Sequence, residues 1–384
     1  MTLNIIGPND PALDVLQATL AARLDLDAAL TIIAWPEYRE RLMAVLTADT
    51  APSQAVFVPG HIWLPEFTAA GYLAELAPLM QTVSPDLLAK YDPDDVVPSV
   101  ADECQYEGKQ YQLPFFSDGH ILFYRADLIE LDGSDGVPIV STADILSLAT
   151  AVHNPPHIYG LALKADASEI FTDWLPYLWE AGGRIFDENG RPDLDNPINI
   201  EALELYCGLR DLCPPETAVY GNGEIADVLR KGEAAIVANW GGQTAPIMLG
   251  EGEGKGYKTA VFPTPWNATW GIAIPQNQPD AVQQNTISVL MQLLGAEQDK
   301  EITRIAGSPV RQSSYAPAEL QKYGWLAAQL EMLNRAKPLP ARPELGNFLG
   351  LLYEAVHQAF TGELSPAAAL AGVQVAALEA VEQG

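Results

Sequence analysis

The fold of this chain is indicated most clearly by Cys104–Leu128, which reads C-Q-Y-E-G-K-Q-Y-Q-L-P-F-F-S-D-G-H-I-L-F-Y-R-A-D-L. Tyr106 and Tyr111 flank an E-G-K-Q segment, which predicts a hairpin turn between two short strands. We expect Pro114 to end the second of these strands, because proline cannot donate to a strand ladder. The apolar run Ile121–Tyr124 then predicts a buried strand.

Between the hairpin and this strand lie two aromatic rings and one acid, Phe115, Phe116 and Asp118. Such a group suits a small polar ligand, because rings cover apolar C–H faces and a carboxylate accepts hydrogen bonds from hydroxyls. The alternative is a hairpin packed on a core strand, with Asp118 in a solvated turn.

The first 60 residues alternate between apolar runs and helical patterns. The apolar runs predict strands at Leu3–Ile6, Ala29–Ala34 and Ala55–Val58. The helical patterns predict one helix that is capped by Asn9 or Asp10 and a second helix over Glu37–Leu46. This βαβαβ order predicts a parallel sheet between helices, and ligands of such sheets gather at the carboxyl ends of the strands.

A second α/β pattern follows, and the chain then returns to strands before it ends in helices. The predicted strands are Ile121–Tyr124, Tyr159–Leu163, Ala234–Ala238, Tyr257–Phe262 and Trp270–Ile274. The predicted helices begin at the Ser141 capping box and at Ile170, and cover Ile200–Leu212, Ile225–Lys231, Pro279–Leu294, Glu344–Phe360 and Ser365–Glu382.

The charge balance limits the classes of partner. Fifty acidic residues against 21 basic ones give the 384-residue chain a net charge of −29, which repels nucleic acid and anionic membrane surfaces. Neutral sugars are indifferent to this field, whereas a cationic solute is favoured by it. No run of apolar residues is long enough to predict a membrane span.

Catalytic and metal-binding motifs are missing from the sequence, and we expect no cofactor and no metal. His153 and His157 are separated by two prolines, which forbids a helical ligand pair. The abundant acids leave a glycoside hydrolase open, although Asp94-Asp95 and Asp187-Glu188 are typical of solvated turns.

The three cysteines are too few for a disulfide framework. Cys207 and Cys213 could form a bridge if the chain bends at the following prolines, and free thiols are the alternative.

Three further stretches, Trp174–Asn189, Gly223–Trp240 and Thr269–Gln278, follow the opening segment in order. Together the four resemble the family 1 extracellular solute-binding proteins, the ligand-capturing subunits of carbohydrate ABC importers, including the maltose- and trehalose-type proteins. The resemblance covers nearly the whole chain.

This resemblance implies an α/β, two-lobe periplasmic-binding-protein-like fold of type II, in which each lobe has a mostly parallel sheet flanked by helices. The implied lobes are residues 1–117 plus 266–312 and residues 118–265 plus 313–384. The chain would cross between them near 117–120, 262–269 and 308–315, and these crossings would act as a hinge.

Two tryptophans match sugar-stacking positions of the family. Trp240 lies between a buried strand and Gly241-Gly242, and Trp270 opens a strand near a crossing. The alternative is that both are core aromatics. Phe116 and Asp118 match an aromatic and an acid that contact sugar in relatives.

Arg342, in the P-L-P-A-R-P segment, matches an arginine that would donate to a sugar hydroxyl or to Asp118, and Asn9 and Arg39 are weaker matches. One departure concerns the W-x-P-E-F motif at Trp63. Many relatives place an acid three residues before this tryptophan, where this chain has Gly60. His61 is a candidate substitute or a surface histidine.

The resemblance therefore implies a protein that binds a neutral carbohydrate between closing lobes and delivers it to the permease of an ABC transporter. The alternatives are a binder of a cationic solute such as a polyamine or peptide, a sugar-cleaving enzyme, or a lectin-like module. We expect an extracytoplasmic monomer, although the start Met1–Asn4 has neither a leader nor a lipid-anchor cysteine.

Overall fold

The chain divides into two compact units. The computed structural model describes residues 2–50, 52–134, 136–250 and 256–383. Unit 1 comprises Met1–Asp118 and Ala268–Gly324, and unit 2 comprises Gly119–Asn267 and Trp325–Gly384.

The first two boundaries between the units lie within the segments predicted for the crossings, but the third lies beyond residues 308–315. The backbone N–H and the hydroxyl of Ser313 donate to the carboxylate of Asp95 at 2.9 and 2.7 Å. These bonds attach the segment predicted as a crossing to unit 1, so the chain leaves this unit later than expected.

Unit 1 is built on a five-stranded sheet with the order β2-β1-β3-β11-β6. Its strands are β1 (Leu3–Pro8), β2 (Ala28–Ile33), β3 (Gln54–Pro59), β6 (Leu113–Ser117) and β11 (Thr269–Ala273). β1 pairs in parallel with β2 and β3, as the βαβαβ pattern predicts, whereas β11 pairs antiparallel with β3 and β6.

Both chain segments of unit 1 contain α-helices. They are α1 (Pro11–Ala22), α2 (Trp35–Leu46), α3 (Gly60–Ala69), α4 (Leu76–Met80), α5 (Pro85–Tyr91), α6 (Pro98–Glu103), α12 (Asp280–Leu293), α13 (Ala296–Ile305) and α14 (Pro317–Lys322). α1 begins where the sequence predicts, because the carboxylate of Asp10 accepts the N–H of Ala12 at 2.8 Å.

The predicted hairpin is present as β4 (Gln105–Tyr106) and β5 (Lys109–Gln110). Glu107 and Gly108 both have positive φ, at 51° and 74°, as a tight two-residue turn requires. The expectation for Pro114 is wrong, because this residue lies inside β6. β6 is an edge strand of its sheet, and an edge strand tolerates a residue without a backbone N–H.

Unit 2 is built on a four-stranded sheet with the order β10-β7-β9-β8. Its strands are β7 (His120–Arg125), β8 (Tyr159–Ala162), β9 (Ala234–Trp240) and β10 (Tyr257–Ala260). β8 pairs in parallel with β9, whereas β7 pairs antiparallel with both β9 and β10.

Eight α-helices surround this sheet within the described residues. They are α7 (Thr142–Val152), α8 (Ile170–Glu180), α9 (Pro197–Gly208), α10 (Asn222–Lys231), α11 (Thr244–Leu249), α15 (Leu326–Arg335), α16 (Leu345–Thr361) and α17 (Pro366–Gln383). The capping box predicted at Ser141 is confirmed: its hydroxyl accepts the N–H of Asp144, and the Asp144 carboxylate accepts the N–H of Ser141.

One strand of each sheet, β11 in unit 1 and β7 in unit 2, runs opposite to all the others, so both sheets are mostly parallel, as expected. A βαβ crossover gives a parallel pair only within one continuous run of strand, helix and strand. β11 and β7 are instead reached directly across a unit boundary, and each enters its sheet in the opposite direction to its neighbours.

All three cysteines are free thiols, so the bridge considered between Cys207 and Cys213 is not formed. Cys213 is buried, and its thiol donates to the carbonyl of Leu209 at 3.4 Å.

Candidate functional site

One edge of the unit 1 sheet collects most of the residues predicted for a binding site. The parallel strands β1, β2 and β3 all end there. β11 begins at the same edge, since Trp270 pairs with Pro59, and β6 ends there, since Ser117 pairs with Thr269. We call this edge the carboxyl edge of unit 1.

A stack of two indoles lies at this edge. Trp35 begins α2 directly after β2, and Trp63 lies on α3 directly after β3. Their ring centroids are 5.2 Å apart and the planes differ by 7°, which is a stacked geometry. Trp63 is only 6% exposed, whereas Trp35 is half-buried, so the outer ring of the stack is available for contact.

A second stack joins two predicted site residues. Phe116 and Trp270 have ring centroids 5.7 Å apart with an interplanar angle of 8°. The rings of Trp270 and Trp35 meet edge to face, with their centroids 5.9 Å apart and their planes at 74°. Phe116 and Trp270 are both buried, so they support the indole stack from within the sheet.

Two carboxylates belong to the same edge. Asp10 follows β1, and Asp118 follows β6, where its N–H donates to the carbonyl of Ala268 at 2.9 Å. Burial raises the pKa of Asp10, and the nearby negative charge of Asp118 raises it further. Asn9, the neighbouring predicted residue, is exposed at the end of β1.

The acid missing at position 60 has a spatial counterpart. Gly60 has φ +30°, and a Cβ built on it would lie 3.2 Å from Oε2 of Glu103. Glu103 is 3% exposed, and the same oxygen accepts the N–H of Thr269 at 2.6 Å. A buried carboxylate from the end of α6 therefore lies beside the position where relatives carry an acid on α3.

Arg39 and His61 have contacts that hold them beside this edge. The guanidinium of Arg39 pairs with Glu66 at 2.7 Å and lies 5.5 Å from the ring centroid of Trp63. The Nε2 atom of His61 lies 3.3 Å from the carbonyl oxygen of Gln105.

In unit 2 the corresponding edge carries Trp240. This residue ends β9, and its strand partner across the sheet is His120 at the start of β7. The indole is 4% exposed, lies 5.5 Å from the ring of Trp266, and has the ammonium nitrogen of the buried Lys164 3.7 Å from its centroid. Lys164 therefore covers the ring that sequence analysis predicts as a sugar-stacking surface.

A buried polar chain runs behind this tryptophan. The hydroxyl of Tyr206 donates to Asp173 at 2.9 Å, and the other oxygen of Asp173 lies 3.4 Å from Nε2 of His120. Burial lowers the pKa of His120 more than the neighbouring carboxylate raises it. The imidazole is therefore held neutral near pH 7.

The other predicted residue of unit 2, Arg342, is held by neighbours of its own. Its guanidinium donates to the carbonyl of Gly190 at 3.2 Å and to the carboxylate of Glu344 at 3.3 Å, and it lies 5.3 Å from the ring centroid of Phe186. These contacts attach the Pro-rich segment to the turn around Gly190.

Sequence reasoning missed Trp35, Asp10, Glu103 and Lys164. A signal for the first two was present, because each directly follows a predicted parallel strand, where ligand-contacting residues concentrate. No sequence signal marks Glu103, because its position beside Gly60 depends on tertiary packing.

Within the described ranges, no group of three or more histidine, cysteine, aspartate or glutamate side chains is arranged to hold a metal ion. The described helices also include none that is both long and apolar enough to cross a bilayer.

The fold and the edge sites define a class of protein, the two-lobe α/β solute-binding proteins. An ABC transporter solute-binding protein from Agrobacterium radiobacter K84, in complex with ribitol, matches with a TM-score of 0.86 and 23% identity, over 99% of this chain and 98% of that one. The maltose-bound MalE3 of T. maritima matches with a TM-score of 0.83 and 18% identity, over 98% of both chains.

The family follows from the sequence. The model of the bacterial extracellular solute-binding protein family matches residues 25–286, so this chain belongs to that family. The mannitol-binding protein of Pseudomonas aeruginosa is 25% identical over 327 residues, which are 75% of this chain and 73% of that protein.

Proposed function

We propose that this protein captures a neutral polyol or sugar outside the cytoplasm and delivers it to the permease of an ABC importer. The observation that carries the proposal is the carboxyl edge of unit 1, where a half-buried indole, Trp35, lies at the same edge as the carboxylates of Asp10 and Asp118. The relatives that bind ribitol, mannitol and maltose support this solute class.

The proposed binding chemistry has two parts. The exposed side of Trp35 covers the C–H face of the solute, while Trp63 holds the ring rigid from behind. The carboxylates accept hydrogen bonds from hydroxyl groups, and a charged acceptor gives a stronger bond than a neutral one. Hydroxyl donors would also offset the burial and the repulsion from Asp118, which together raise the pKa of Asp10.

Transport would require the protein to close around the solute. A ligand shifts such an equilibrium only if it binds the closed form better than the open form. We propose that the three connections between the units provide the hinge, and that the closed form is the one presented to the permease.

We also propose that the protein works as a monomer, does not bind nucleic acid and has no catalytic activity. The charge of −29 supports the second statement. A sugar-cleaving enzyme is the competing function, because a pair of neighbouring carboxylates, one with a raised pKa, is also the arrangement that glycosidases use.

The first experiment is a thermal-shift screen with ribitol, D-mannitol, maltose, putrescine and a short cationic peptide, followed by calorimetry. A solute that binds only the native state raises the melting temperature. We expect a polyol or sugar to do so, with no release of monosaccharide on long incubation with maltose. A shift with putrescine or the peptide alone, or steady cleavage of maltose, would reject the proposal.

Trp35→Ala tests the stacking surface directly. Removal of a stacking ring costs about 1–3 kcal/mol, so we expect the affinity for the polyol or sugar to fall by roughly 5- to 150-fold. The matched control is Tyr72→Ala. Tyr72 is also half-buried, but its carbonyl accepts the N–H of Gln276, beyond the end of β11 at the opposite edge of the same sheet. Equal affinity losses in the two variants would show that Trp35 is not part of the binding site.

A further inference from the structure

The two faces of the unit 2 sheet differ in character near the end of β9. Neighbouring residues of a strand point to opposite faces. His120 pairs with Trp240, and Ile121 pairs with Asn239, so Asn239 lies on the face opposite to the His120–Trp240 pair.

Helix α15 covers the face that carries Asn239. A Cβ built on Gly241 would lie 2.4 Å from Oε1 of Gln329, and one built on Gly119 would lie 2.3 Å from Sδ of Met332. Gly119 and Gly241 are hydrogen-bonded neighbours at 2.8 Å. Glycine at these two positions therefore lets α15 bring the Gln329 amide against the backbone at the end of β9.

Three neutral polar side chains are buried in this region. Asn239 is 0% exposed, and Gln329 on α15 and Thr244 at the start of α11 are each 1% exposed. In the part of the chain that the structure describes, no hydrogen-bond partner reaches the amide of Asn239, the amide of Gln329 or the hydroxyl of Thr244.

Leaving such groups unsatisfied is unfavourable, because a buried polar group without a partner keeps its full desolvation cost. Replacement by apolar residues of similar shape would remove that cost. The presence of two buried amides and a buried hydroxyl close to one strand end therefore indicates that a polar ligand supplies their missing hydrogen bonds. All three are uncharged, and amides and hydroxyls both donate and accept, which matches the hydroxyl groups of a polyol.

We propose that Asn239, Thr244 and Gln329 form a neutral hydrogen-bonding subsite of unit 2 that binds hydroxyl groups of the transported solute. This inference rests on the proposed function and adds to it a solute preference. Carboxylates and ammonium groups find no opposite charge among these three side chains, so the subsite selects uncharged, polyhydroxylated solutes.

The test uses Gln329→Leu in the full chain, with calorimetry against ribitol and D-mannitol and melting of the ligand-free protein. We expect the affinity to fall about tenfold or more, the cost of losing a paired amide. The ligand-free melting temperature should stay equal or rise, because the variant removes a buried amide that lacks a partner.

Gln283→Leu is the matched control. Gln283 is also a buried glutamine, but its amide donates to the carbonyls of Gln276 and Gln278 at 3.1 and 3.0 Å within unit 1. This variant should lower the melting temperature and leave the affinity within about twofold. If Gln329→Leu does not fold, the nearly isosteric Thr244→Val decides, with an expected loss of about fivefold or more.

The outcomes separate the inference from the function on which it depends. If the wild type binds a polyol and the unit 2 variants bind it equally well, the side chains hold a buried water only, and the subsite is rejected while the function stands. If the wild type binds no uncharged solute in the screen and binds putrescine instead, both the subsite and the proposed function are rejected.

Discussion

Asp10→Asn should make the ligand-free protein more stable at neutral pH while weakening solute binding. Asp10 has two roles that this change separates. Its side chain caps α1 by accepting the N–H of Ala12 at 2.8 Å, and its charge is disfavoured by burial and by Asp118. Asparagine caps a helix about as well as aspartate, so the substitution keeps the cap and removes the charge.

The magnitude follows from the two roles. Loss of an N-cap costs about 1 kcal/mol, so Asp10→Ala, which loses both cap and charge, gives the contribution of the cap by difference from Asp10→Asn. Removing the charge stabilises the folded protein at neutral pH, because the raised pKa means that the folded state disfavours the ionised carboxyl. Each 1 kcal/mol gained corresponds to a rise of about 2–4 °C in melting temperature for a body of about 150–250 residues.

The pH dependence has a definite sign. The pKa of Asp10 is higher in the folded protein than in the unfolded chain. The folded state therefore binds the proton more tightly, and stability decreases as pH rises from the unfolded pKa through the folded one. The advantage of Asp10→Asn should therefore be present at high pH and vanish below the ordinary aspartate pKa of about 3.9.

Thermal melts of the wild type and both variants across a pH series, with calorimetry against ribitol at neutral pH, provide the assay. Asp10→Asn should bind ribitol about tenfold more weakly, because a charged acceptor is replaced by a neutral one. An Asp10→Asn protein that is less stable than the wild type at pH 8, with a difference that persists at pH 3.5, would refute the electrostatic reasoning.

Two further predictions concern the backbone at the carboxyl edge and the Pro-rich segment. Gly60→Ala should destabilise the protein by about 2–3 kcal/mol, because a positive φ is strained for alanine and the added Cβ would press on Glu103. The control is Gly71→Ala, where φ is +73° and no atom lies within 4 Å of the added Cβ. This variant should cost only the backbone strain, about 1 kcal/mol. Equal melting temperatures in these two variants would show that the close approach at Gly60 is unimportant. Arg342→Ala should change the solute affinity by less than about twofold, because the side chain is bonded to Gly190 and Glu344. A larger loss by calorimetry would instead support Arg342 as the ligand contact that the resemblance implies.

Local signals in the sequence were sufficient for most of the framework. The alternation of apolar runs and capped helices predicted β1, β2 and β3 and the helices between them, because each of these elements is specified by its own residues. The Glu107-Gly108 turn and the Ser141 capping box are equally local, and both are confirmed.

The direction of β11 and the partners of the site residues could not be obtained in this way. The chain passes through Gly119–Asn267 of unit 2 before β11 joins the unit 1 sheet. The residues of β11 do not indicate which strand it pairs with. The same holds for Glu103, whose carboxylate meets Thr269 from a distant part of the sequence. For Trp240 the missing information was the position of Lys164, since a glycine pair beside a tryptophan does not reveal which side chain fills the space.

The chemistry of the two units suggests how a protein with a charge of −29 can select an uncharged solute. Long-range attraction contributes little to the capture of a neutral molecule, so selection depends on short-range contacts that charged competitors cannot copy. The carboxylates of unit 1 accept hydrogen bonds but cannot donate them, whereas the amides of Asn239 and Gln329 in unit 2 do both. An ammonium group could donate to the carboxylates and to the amide oxygens, but it has no acceptor and would leave the amide N–H donors without partners. A polyol can satisfy both sets, and in our proposals this joint requirement, more than any single residue, determines the solute.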